Sequence, residues 1–479
     1  MQILRDVWAS ISPARSFLPD FNGTAASQRT AVRRLLAGSV AAFLLLSSSA
    51  SAGWKAGTAR VAITPKQSMW MAGYGARTKP SEGAVHDLWA KALAFEDPRG
   101  KKALLVTLDV CGIGRDLSNS IRDALKGKHG LERSQIVLSC SHTHCGPVVG
   151  NNLLSMYNMS REEYPKIVEY AKFLERAILD ISDAALANLN DASLAWETGR
   201  CDFAVNRRTN KEPEVPELRK RLALQGPVDH DVPVLRVVDS KQSLIGIVFG
   251  YACHCTVLSF QQFCGDYAGF AQIALEKKHP GAQAMFVAGC GGDQNPLPRR
   301  TVELAESYGN QLAKSVDAVL GSKMRPIVEP LHASYEEIDL AFAELPTREQ
   351  IEKDAQAKDF YTSSRARLLL KTIAARGALS KTAPYPVQLW KLGELNWVIL
   401  GGEVVVDYSL RIKRNLGSSN TWVSAYCNDV LAYIPSLRVL KEGGYEGATS
   451  MLYYGHPTSW AEPIEEDIIA AVNRLVGKQ

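Results

Sequence analysis

Two histidines at the end of an apolar run are the first residues of the chain that could do chemistry. The apolar residues 136–138 run into the sequence S-C-S-H-T-H-C-G-P, which occupies positions 139–147. Side chains two residues apart on a strand point to the same face, so His142 and His144 would lie together. Two imidazoles where a buried strand ends in a Gly-Pro turn are a sound start for a metal site. The same pattern also fits a polar loop whose histidines only form hydrogen bonds.

Three other apolar runs end in residues of similar chemical character. The run 244–253 leads to His254, the run 284–288 leads to a glycine-rich turn containing Asp293 and Asn295, and the run 397–400 ends at Glu403. The glycine-rich turn fits a cradle of backbone N–H groups for an oxyanion, and it equally fits an ordinary tight turn. Glu403 fits a metal ligand, or an acidic residue at the start of a helix, where the helix dipole favours it.

Four apolar runs are each followed by Gly, His, Asp or Glu, and packing of the core alone does not readily explain this repeated choice of residues. Histidines combined with one carboxylate suit Zn²⁺, with one coordination position left for water that can attack a carbonyl group. Other chemistries have less support. The chain lacks the G-x-S-x-G, G-x-x-x-x-G-K-[ST], G-x-G-x-x-G and H-E-x-x-H motifs.

The elements that must position these residues alternate between strands and helices. A single large mixed α/β domain, with the site at the C-terminal ends of strands and in loops, is therefore the expected fold. We predict strands near 56–65, 90–96, 102–109, 135–140, 193–199, 232–238, 243–252, 284–288, 387–392, 396–400 and 421–426. We predict helices near 117–127, 161–190, 267–279, 301–320, 403–415 and 463–476, and a charged, helix-prone outer segment at 345–380.

Composition limits the class of protein. The chain has 479 residues, of which 46% are hydrophobic, and a net charge of +5. This composition supports a large globular core and gives no support for nucleic-acid binding. The nine cysteines include no C-x-x-C pair, which argues against a structural zinc ribbon. We expect them to be small buried apolar residues.

The N-terminus has the pattern of a secretory signal. Arg33 and Arg34 precede the apolar run 35–46, and A-S-A at 50–52 offers a cleavage site after Ala52. The run is short for a membrane anchor, and the paired arginines hint at the twin-arginine route. We therefore predict a signal peptide at 1–52, an exported protein in the periplasm or outside the cell, and a hydrolase domain at 53–479.

A set of motifs in the mature chain resembles the neutral/alkaline non-lysosomal ceramidases. The resemblance extends from about residue 56 to the end of the chain. The motifs that carry it are S-H-T-H-C-G-P at 141–147, Y-A-C-H at 251–254, G-D-x-x-P at 292–296, G-E at 402–403, C-N at 427–428 with Y-I-P at 433–435, and G-Y-E-G-A-T-S at 444–450. The segments M-A-G-Y at 71–74 and N-R at 206–207 are similar to family segments as well.

The resemblance implies a zinc amidase that releases a fatty acid from ceramide, a sphingolipid. Carried over to this chain, it implies one zinc ion bound by His142, His254, Glu403 and Tyr433. His144 would be an acid/base or positioning group, and Arg207 would contact the substrate. Asp293 and Asn295 complete the predicted catalytic set. The expected partner is a lipid or another N-acyl molecule, with peripheral membrane contact.

The chain also departs from the family pattern. The family has a serine where this chain has Asn295, and an asparagine can hydrogen-bond water or an oxyanion but cannot act as a nucleophile. An early acidic residue of the family is replaced in V-A-I-T at 61–64. We expect no counterpart of the family's C-terminal immunoglobulin-like domain. Two alternatives therefore stay open: a metal-dependent esterase or amidase for a substrate other than ceramide, and a binding protein that keeps the metal without catalysis.

Overall fold

A large mixed β-sheet forms the centre of the computed structural model, which describes residues 53–477. The predicted signal peptide lies outside these residues. The strands of the described part are β1 (Trp54–Ala62), β2 (Trp89–Glu96), β3 (Lys102–Leu108), β4 (Ile136–Cys140), β5 (Asn190–Arg200), β6 (Ala204–Asn206), β7 (Asp231–Asp239), β8 (Leu244–Tyr251), β9 (Gln283–Ala288), β10 (Gln294–Pro296), β11 (Arg325–Ile327), β12 (Leu331–Ala341), β13 (Thr382–Leu392), β14 (Leu395–Leu400), β15 (Glu403–Val404), β16 (Thr421–Ser424) and β17 (Tyr433–Ile434).

The two histidine-bearing segments follow strands near opposite ends of the large sheet, and these ends meet because β4 at one end lies against β9 at the other. The order is β4-β3-β2-β1-β5-β7-β8-β9, and β11 pairs with β5. Strand β4 runs parallel to β3, and β9 runs parallel to β8, whereas the inner neighbours are antiparallel. The residues that follow β4, β8 and β9 therefore leave the sheet as loops that can converge on one site.

A second sheet packs against one face of the large sheet. Its strand order is β12-β13-β14-β16. Aromatic side chains fill the space between the two sheets, and Trp397 and Trp422 stack with their ring centroids 4.1 Å apart. Trp390 packs edge-on against Trp397 at 5.7 Å. Burial of this much aromatic surface fixes the second sheet, and with it the segment that follows β14 and carries Glu403.

Helices cover the other face of the large sheet and the outside of the domain. The helices of the described part are α1 (Arg115–His129), α2 (Glu163–Ala187), α3 (Val215–Lys220), α4 (Asp266–Lys278), α5 (Val302–Leu320), α6 (Arg348–Asp354), α7 (Phe360–Arg376), α8 (Val406–Leu416), α9 (Leu437–Glu442), α10 (Met451–Tyr454) and α11 (Ile464–Gly477). Helix α2 buries Ile167, Leu174, Ile178 and Ile181, the helical spacing that predicts it from sequence. In residues 53–477, no helix has both the length and the apolar character needed to cross a membrane.

The observed elements confirm the predicted mixed α/β fold, with differences near the site. The helix predicted at 403–415 begins at Val406, and Glu403 instead lies on the two-residue strand β15. The region 331–341, for which we predicted no element, forms the long strand β12. Residues Tyr445–Thr449 form a single turn of π-helix that the sequence pattern does not indicate.

Candidate metal and catalytic site

Three side chains from distant parts of the chain converge on one point. His142 Nε2 and His254 Nε2 each lie 3.0 Å from Glu403 Oε2. All three residues are buried, with at most 3% of their surface exposed. They form a group of donor atoms close enough together to hold a metal ion.

Backbone carbonyl groups orient both histidine rings. His142 Nδ1 lies 2.6 Å from the carbonyl oxygen of Cys111, and His254 Nδ1 lies 2.6 Å from that of Gly291. A carbonyl oxygen only accepts hydrogen bonds, so each Nδ1 carries the proton and each Nε2 presents its lone pair to Glu403. This arrangement is the usual one for histidines that bind metals, because the outer hydrogen bond fixes both the tautomer and the ring orientation.

Local backbone geometry places His142 at this point. The prediction that His142 and His144 project from one face of a strand is wrong, because β4 ends at Cys140 before either of them. His142 instead has a left-handed backbone with φ of 61°. Its N–H donates to the carbonyl group of Val110, at 3.1 Å. A loop held in this way, rather than strand alternation, turns the ring toward the cluster.

The surroundings of Glu403 Oε2 fit a divalent cation. With both histidine rings protonated only at Nδ1, no donor among residues 53–477 makes a hydrogen bond to this buried oxygen. With both rings neutral, two nitrogen lone pairs and a carboxylate oxygen would repel one another at 3.0 Å, and either a metal cation between them or a proton on a ring nitrogen removes this repulsion. Burial opposes a positive charge on His142, but the negative potential of Cys111 and Glu403 outweighs it and raises the pKa of His142. The same potential favours a metal cation.

The pairing of two short strands brings Tyr433 beside Glu403. Strands β15 and β17 run parallel, with Glu403 directly opposite Tyr433. The Tyr433 hydroxyl lies 3.1 Å from His254 Nε2, and the planes of the two rings are nearly parallel, at 12°, with their centroids 6.1 Å apart. The second carboxylate oxygen of Glu403, Oε1, accepts a hydrogen bond from the hydroxyl of Tyr454. All four residues predicted as metal ligands thus lie together.

His144 lies at the edge of this cluster. Its Nε2 is 3.1 Å from His142 Nε2, and 9% of its surface is exposed. Burial, together with the neighbouring His142 and His254 rings, holds the pKa of His144 well below its usual range. Gly73 packs directly on the imidazole, since a Cβ built at Gly73 would lie 2.3 Å from His144 Cγ. The Tyr74 ring meets the same imidazole edge-on, with centroids 4.7 Å apart.

Arg207 links the cluster to the glycine-rich turn. Its Nη2 donates to the Tyr433 hydroxyl at 3.1 Å and to the carbonyl oxygen of Gly292 at 2.8 Å. Its Nε donates to Glu446 at 2.7 Å, and its Nη1 donates to Asn295 Oδ1 at 3.3 Å. The guanidinium is thus held in one orientation by four partners.

The remaining predicted residues, Asp293 and Asn295, occupy different positions. Asp293 is fully buried, and its two oxygens accept from the Val406 N–H and from Asn206 Nδ2, both at 2.9 Å. Burial raises the pKa of this carboxyl group. The carboxylate thus holds the start of helix α8 rather than facing the three donor atoms, so the geometry gives Asp293 a positioning role. Asn295 lines an open groove on the other side of Arg207.

That groove has a volume of about 510 Å³ and is lined mostly by residues of polar or charged type. Its walls carry Arg208, Lys211, Arg299 and Tyr445, in addition to Arg207 and Asn295. Arg207 lies against the rings of Tyr433 and Tyr445, at 5.8 Å from each ring centroid. The groove therefore leads to the side of Tyr433 that faces Arg207.

Sequence reasoning missed three residues that support the site. The carbonyl group of Cys111 orients His142, Glu446 fixes Arg207, and Tyr454 holds Glu403. Glu446 lies inside a motif that the resemblance had already indicated, so that motif was a usable signal. A backbone carbonyl and an isolated tyrosine hydroxyl leave no comparable signal in a single sequence.

Known proteins with similar sequences are neutral ceramidases. Neutral ceramidase B of Dictyostelium discoideum is 26% identical over 227 residues, which cover 44% of this chain and 31% of the relative. The neutral ceramidase of Drosophila pseudoobscura pseudoobscura is 25% identical over 262 residues, which cover 52% of this chain and 36% of the relative. The match thus spans about a third of the length of these curated relatives.

Solved structures and a family sequence model point the same way. The neutral ceramidase from Pseudomonas aeruginosa superposes with a TM-score of 0.65 at 18% identity, covering 88% of this chain and 75% of that one. This likeness confirms the fold. The sequence model described as neutral/alkaline non-lysosomal ceramidase, N-terminal, matches residues 54–295, which is half of the chain. The chain therefore belongs to the neutral/alkaline non-lysosomal ceramidase family.

Proposed function

We propose that this chain is a zinc-dependent hydrolase that cleaves the N-acyl amide bond of ceramide or of a related lipid. The observation that carries the proposal is the convergence of His142 Nε2 and His254 Nε2 on Glu403 Oε2, each at 3.0 Å in a buried site. Tyr433 completes the proposed ligand set for one zinc ion per chain. A bound zinc ion supplies a Lewis acid that polarises a carbonyl group and lowers the pKa of water.

The residues around the cluster divide the remaining tasks. His144 accepts a proton from the attacking water at Nε2, the atom that lies 3.1 Å from His142 Nε2, and returns it to the leaving nitrogen. Arg207 holds Tyr433 and presents its guanidinium edge to the polar part of the substrate. Asp293 joins the glycine-rich turn to the start of α8 by accepting a hydrogen bond from the Val406 N–H. This bond fixes the position of the segment that follows Glu403.

The test combines metal analysis with hydrolysis assays. We expect the purified protein to contain about one equivalent of zinc, to lose hydrolysis of a fluorescent short-chain ceramide on chelation, and to regain it when zinc is added back. Glu403→Gln should lose both metal and activity. Glu394→Gln, on an exposed turn, is the matched control and should keep both. Full activity in a metal-free preparation would refute the proposal.

A second candidate is a metal-dependent hydrolase for a more polar N-acyl compound or an ester. The observation that favours it is the lining of the groove, where charged side chains of both signs outnumber the one aliphatic residue, Leu297; the charged residues are Arg207, Arg208, Lys211, Arg299, Glu212 and Glu446. Parallel assays on ceramide, lipid esters and small N-acyl compounds separate the two candidates by the ratio of their kcat/KM values. A protein that binds zinc and these compounds but cleaves none of them would instead match the binding-protein alternative.

Export and domain organisation complete the proposal. We propose that residues 1–52 are removed as a signal peptide, that residues 53–479 act as one hydrolase domain, and that this domain meets its lipid at a membrane surface. The support is the basic, apolar and small-residue order of the N-terminal sequence. N-terminal sequencing of the mature protein should give Gly53 as the first residue, and an intact N-terminus would contradict the export proposal.

A further inference from the structure

Asn295 lies where the site meets the groove. It belongs to the short strand β10, which pairs with β6 so that Asn295 is opposite Val205. Only 4% of its surface is exposed, yet it lines the groove of about 510 Å³. A mostly buried amide that lines an open groove can contact a molecule bound there while little of it faces bulk water.

Two donors fix which way the amide points. Asn295 Oδ1 lies 3.3 Å from Arg207 Nη1 and 3.3 Å from Thr256 Oγ1. A guanidinium can only donate, so the oxygen of the amide must face Arg207, and Nδ2 must point the other way. Within the part of the chain that the structure describes, no acceptor is bonded to Nδ2, and this nitrogen is not sealed from the groove. Nδ2 is therefore an N–H donor of fixed orientation that is free to bind an acceptor on a molecule in the groove.

We infer that Asn295 is a catalytic residue whose Nδ2–H group donates to the carbonyl oxygen of the scissile amide as negative charge develops on that oxygen. The inference rests on the proposed function and assigns the donor at the same site. Arg207 connects the two features, because it contacts both Asn295 and Tyr433. A donor that is already oriented before the substrate binds stabilises the developing oxyanion more than the starting carbonyl group, and this lowers the activation free energy of the hydrolysis.

The chemistry that follows is one displacement by water. The water oxygen bonds to the carbonyl carbon, and the electron pair of the C=O π bond moves to the oxygen, where Asn295 Nδ2–H donates to it. The water proton passes to His144. The pair then returns, the C–N bond breaks, and the proton goes to the leaving nitrogen, so that amide and water become a carboxylic acid and an amine. No acyl group is attached to residue 295, because an amide side chain is not a nucleophile.

The test compares substitutions at residue 295 on a substrate that the wild-type protein cleaves. Asn295→Ala removes the donor, and Asn295→Asp keeps the shape but places a negative oxygen beside the developing charge. We expect kcat to fall about 10²–10³-fold in Asn295→Ala and further in Asn295→Asp, with KM changed only a few-fold. Zinc content and the circular dichroism spectrum should stay unchanged. Asn310→Ala, on the exposed surface of α5, is the control and should behave as wild type.

The outcomes separate this inference from the proposed function. If the wild type is active and Asn295→Ala keeps more than a third of its kcat, the inference is wrong and the proposed function stands. If the substitution raises KM with kcat unchanged, Asn295 binds the substrate without catalysing, which also overturns the inference. If mass spectrometry of the quenched reaction finds an acyl group on the wild-type chain, the single-displacement course is wrong. If the wild type cleaves none of the substrates, the proposed function fails and this inference falls with it.

Discussion

Gly73→Ala should uncouple catalysis from metal binding, because Gly73 contacts His144 and lies outside the metal cluster. An alanine Cβ at this position would lie 2.3 Å from His144 Cγ and 2.4 Å from His144 Nδ1. The backbone at Gly73 has φ of +89°, a region that alanine rarely adopts. Two separate penalties therefore follow from one added methyl group.

The size of each penalty follows from the geometry. Carbon atoms in contact normally stay about 3.5–4.0 Å apart, so the imidazole must move by roughly 1 Å to admit the methyl group. A displacement of about 1 Å in a catalytic group costs about 10²-fold in rate. The positive φ costs about 1–2 kcal/mol of stability, which a domain of this size can absorb.

The assay measures kcat and zinc content on the same preparation. We expect kcat to fall about 100-fold while the protein keeps its zinc, because the three atoms nearest to the added Cβ all belong to His144 and none to the proposed metal ligands. Gly100→Ala is the matched control. Gly100 also has a positive φ, of +83°, but its Cβ would meet no atom within 4 Å. It should lose the stability that its positive φ costs and no activity.

Two results would refute the reasoning. If Gly73→Ala retains wild-type kcat, then either His144 tolerates the displacement or it takes no part in the reaction. If Gly73→Ala loses zinc in proportion to its activity, the two functions are not separable at this position. In that case the division between His144 and the metal ligands would have to be abandoned.

Three further predictions concern the metal environment, the response to pH and the core. Tyr454→Phe removes the hydroxyl that donates to Glu403 Oε1, so the affinity for zinc should fall about 10–100-fold. The affinity is measured by competition with a chelator, and an unchanged value would show that this hydrogen bond is dispensable. Burial raises the pKa of Asp429 in the folded state to about 7, which is above its value in the unfolded chain. As the pH rises from about 4 to about 7, the unfolded chain loses this proton more readily than the folded protein does, so the folded protein becomes less stable. Asp429→Asn should therefore raise the melting temperature at pH 8 more than at pH 5, and an equal change at both values would contradict this. Trp397→Ala removes the stacked contact with Trp422 and should lower the free energy of unfolding, measured with urea, by about 3–5 kcal/mol. A decrease below about 1 kcal/mol would show that the second sheet does not depend on this packing.

The parts of the fold with strong local signals were predictable from the sequence. The apolar runs that form β4, β8 and β9 end in abrupt polar segments, and helix α2 repeats its apolar residues with helical spacing. Strand β12 was missed because only Leu331 and Leu340, near its two ends, are buried, and charged residues interrupt the stretch between them. Its extended form depends on pairing with β13, which a local pattern cannot reveal.

The candidate site was predictable in part for the same reason. His142 and His254 follow apolar runs, whereas Glu403 was ambiguous because β15 is defined only by its partner strand, which lies about thirty residues later. Tyr433 came from the resemblance alone. The roles of Cys111 and Tyr454 depend on contacts between segments far apart in sequence, which exist only once the chain has folded.

If the proposed ligands bind a metal ion, their spread along the chain makes its capture a late event in synthesis. The family-matched segment, residues 54–295, contains His142 and His254, but Glu403 and Tyr433 lie beyond it. A chain emerging from the ribosome N-terminus first therefore displays two imidazoles long before the carboxylate and the phenol are available. A fragment that ends near residue 295 would hold zinc only weakly. Tight binding of the ion would therefore begin only after the chain has been synthesised past Tyr433 and has folded.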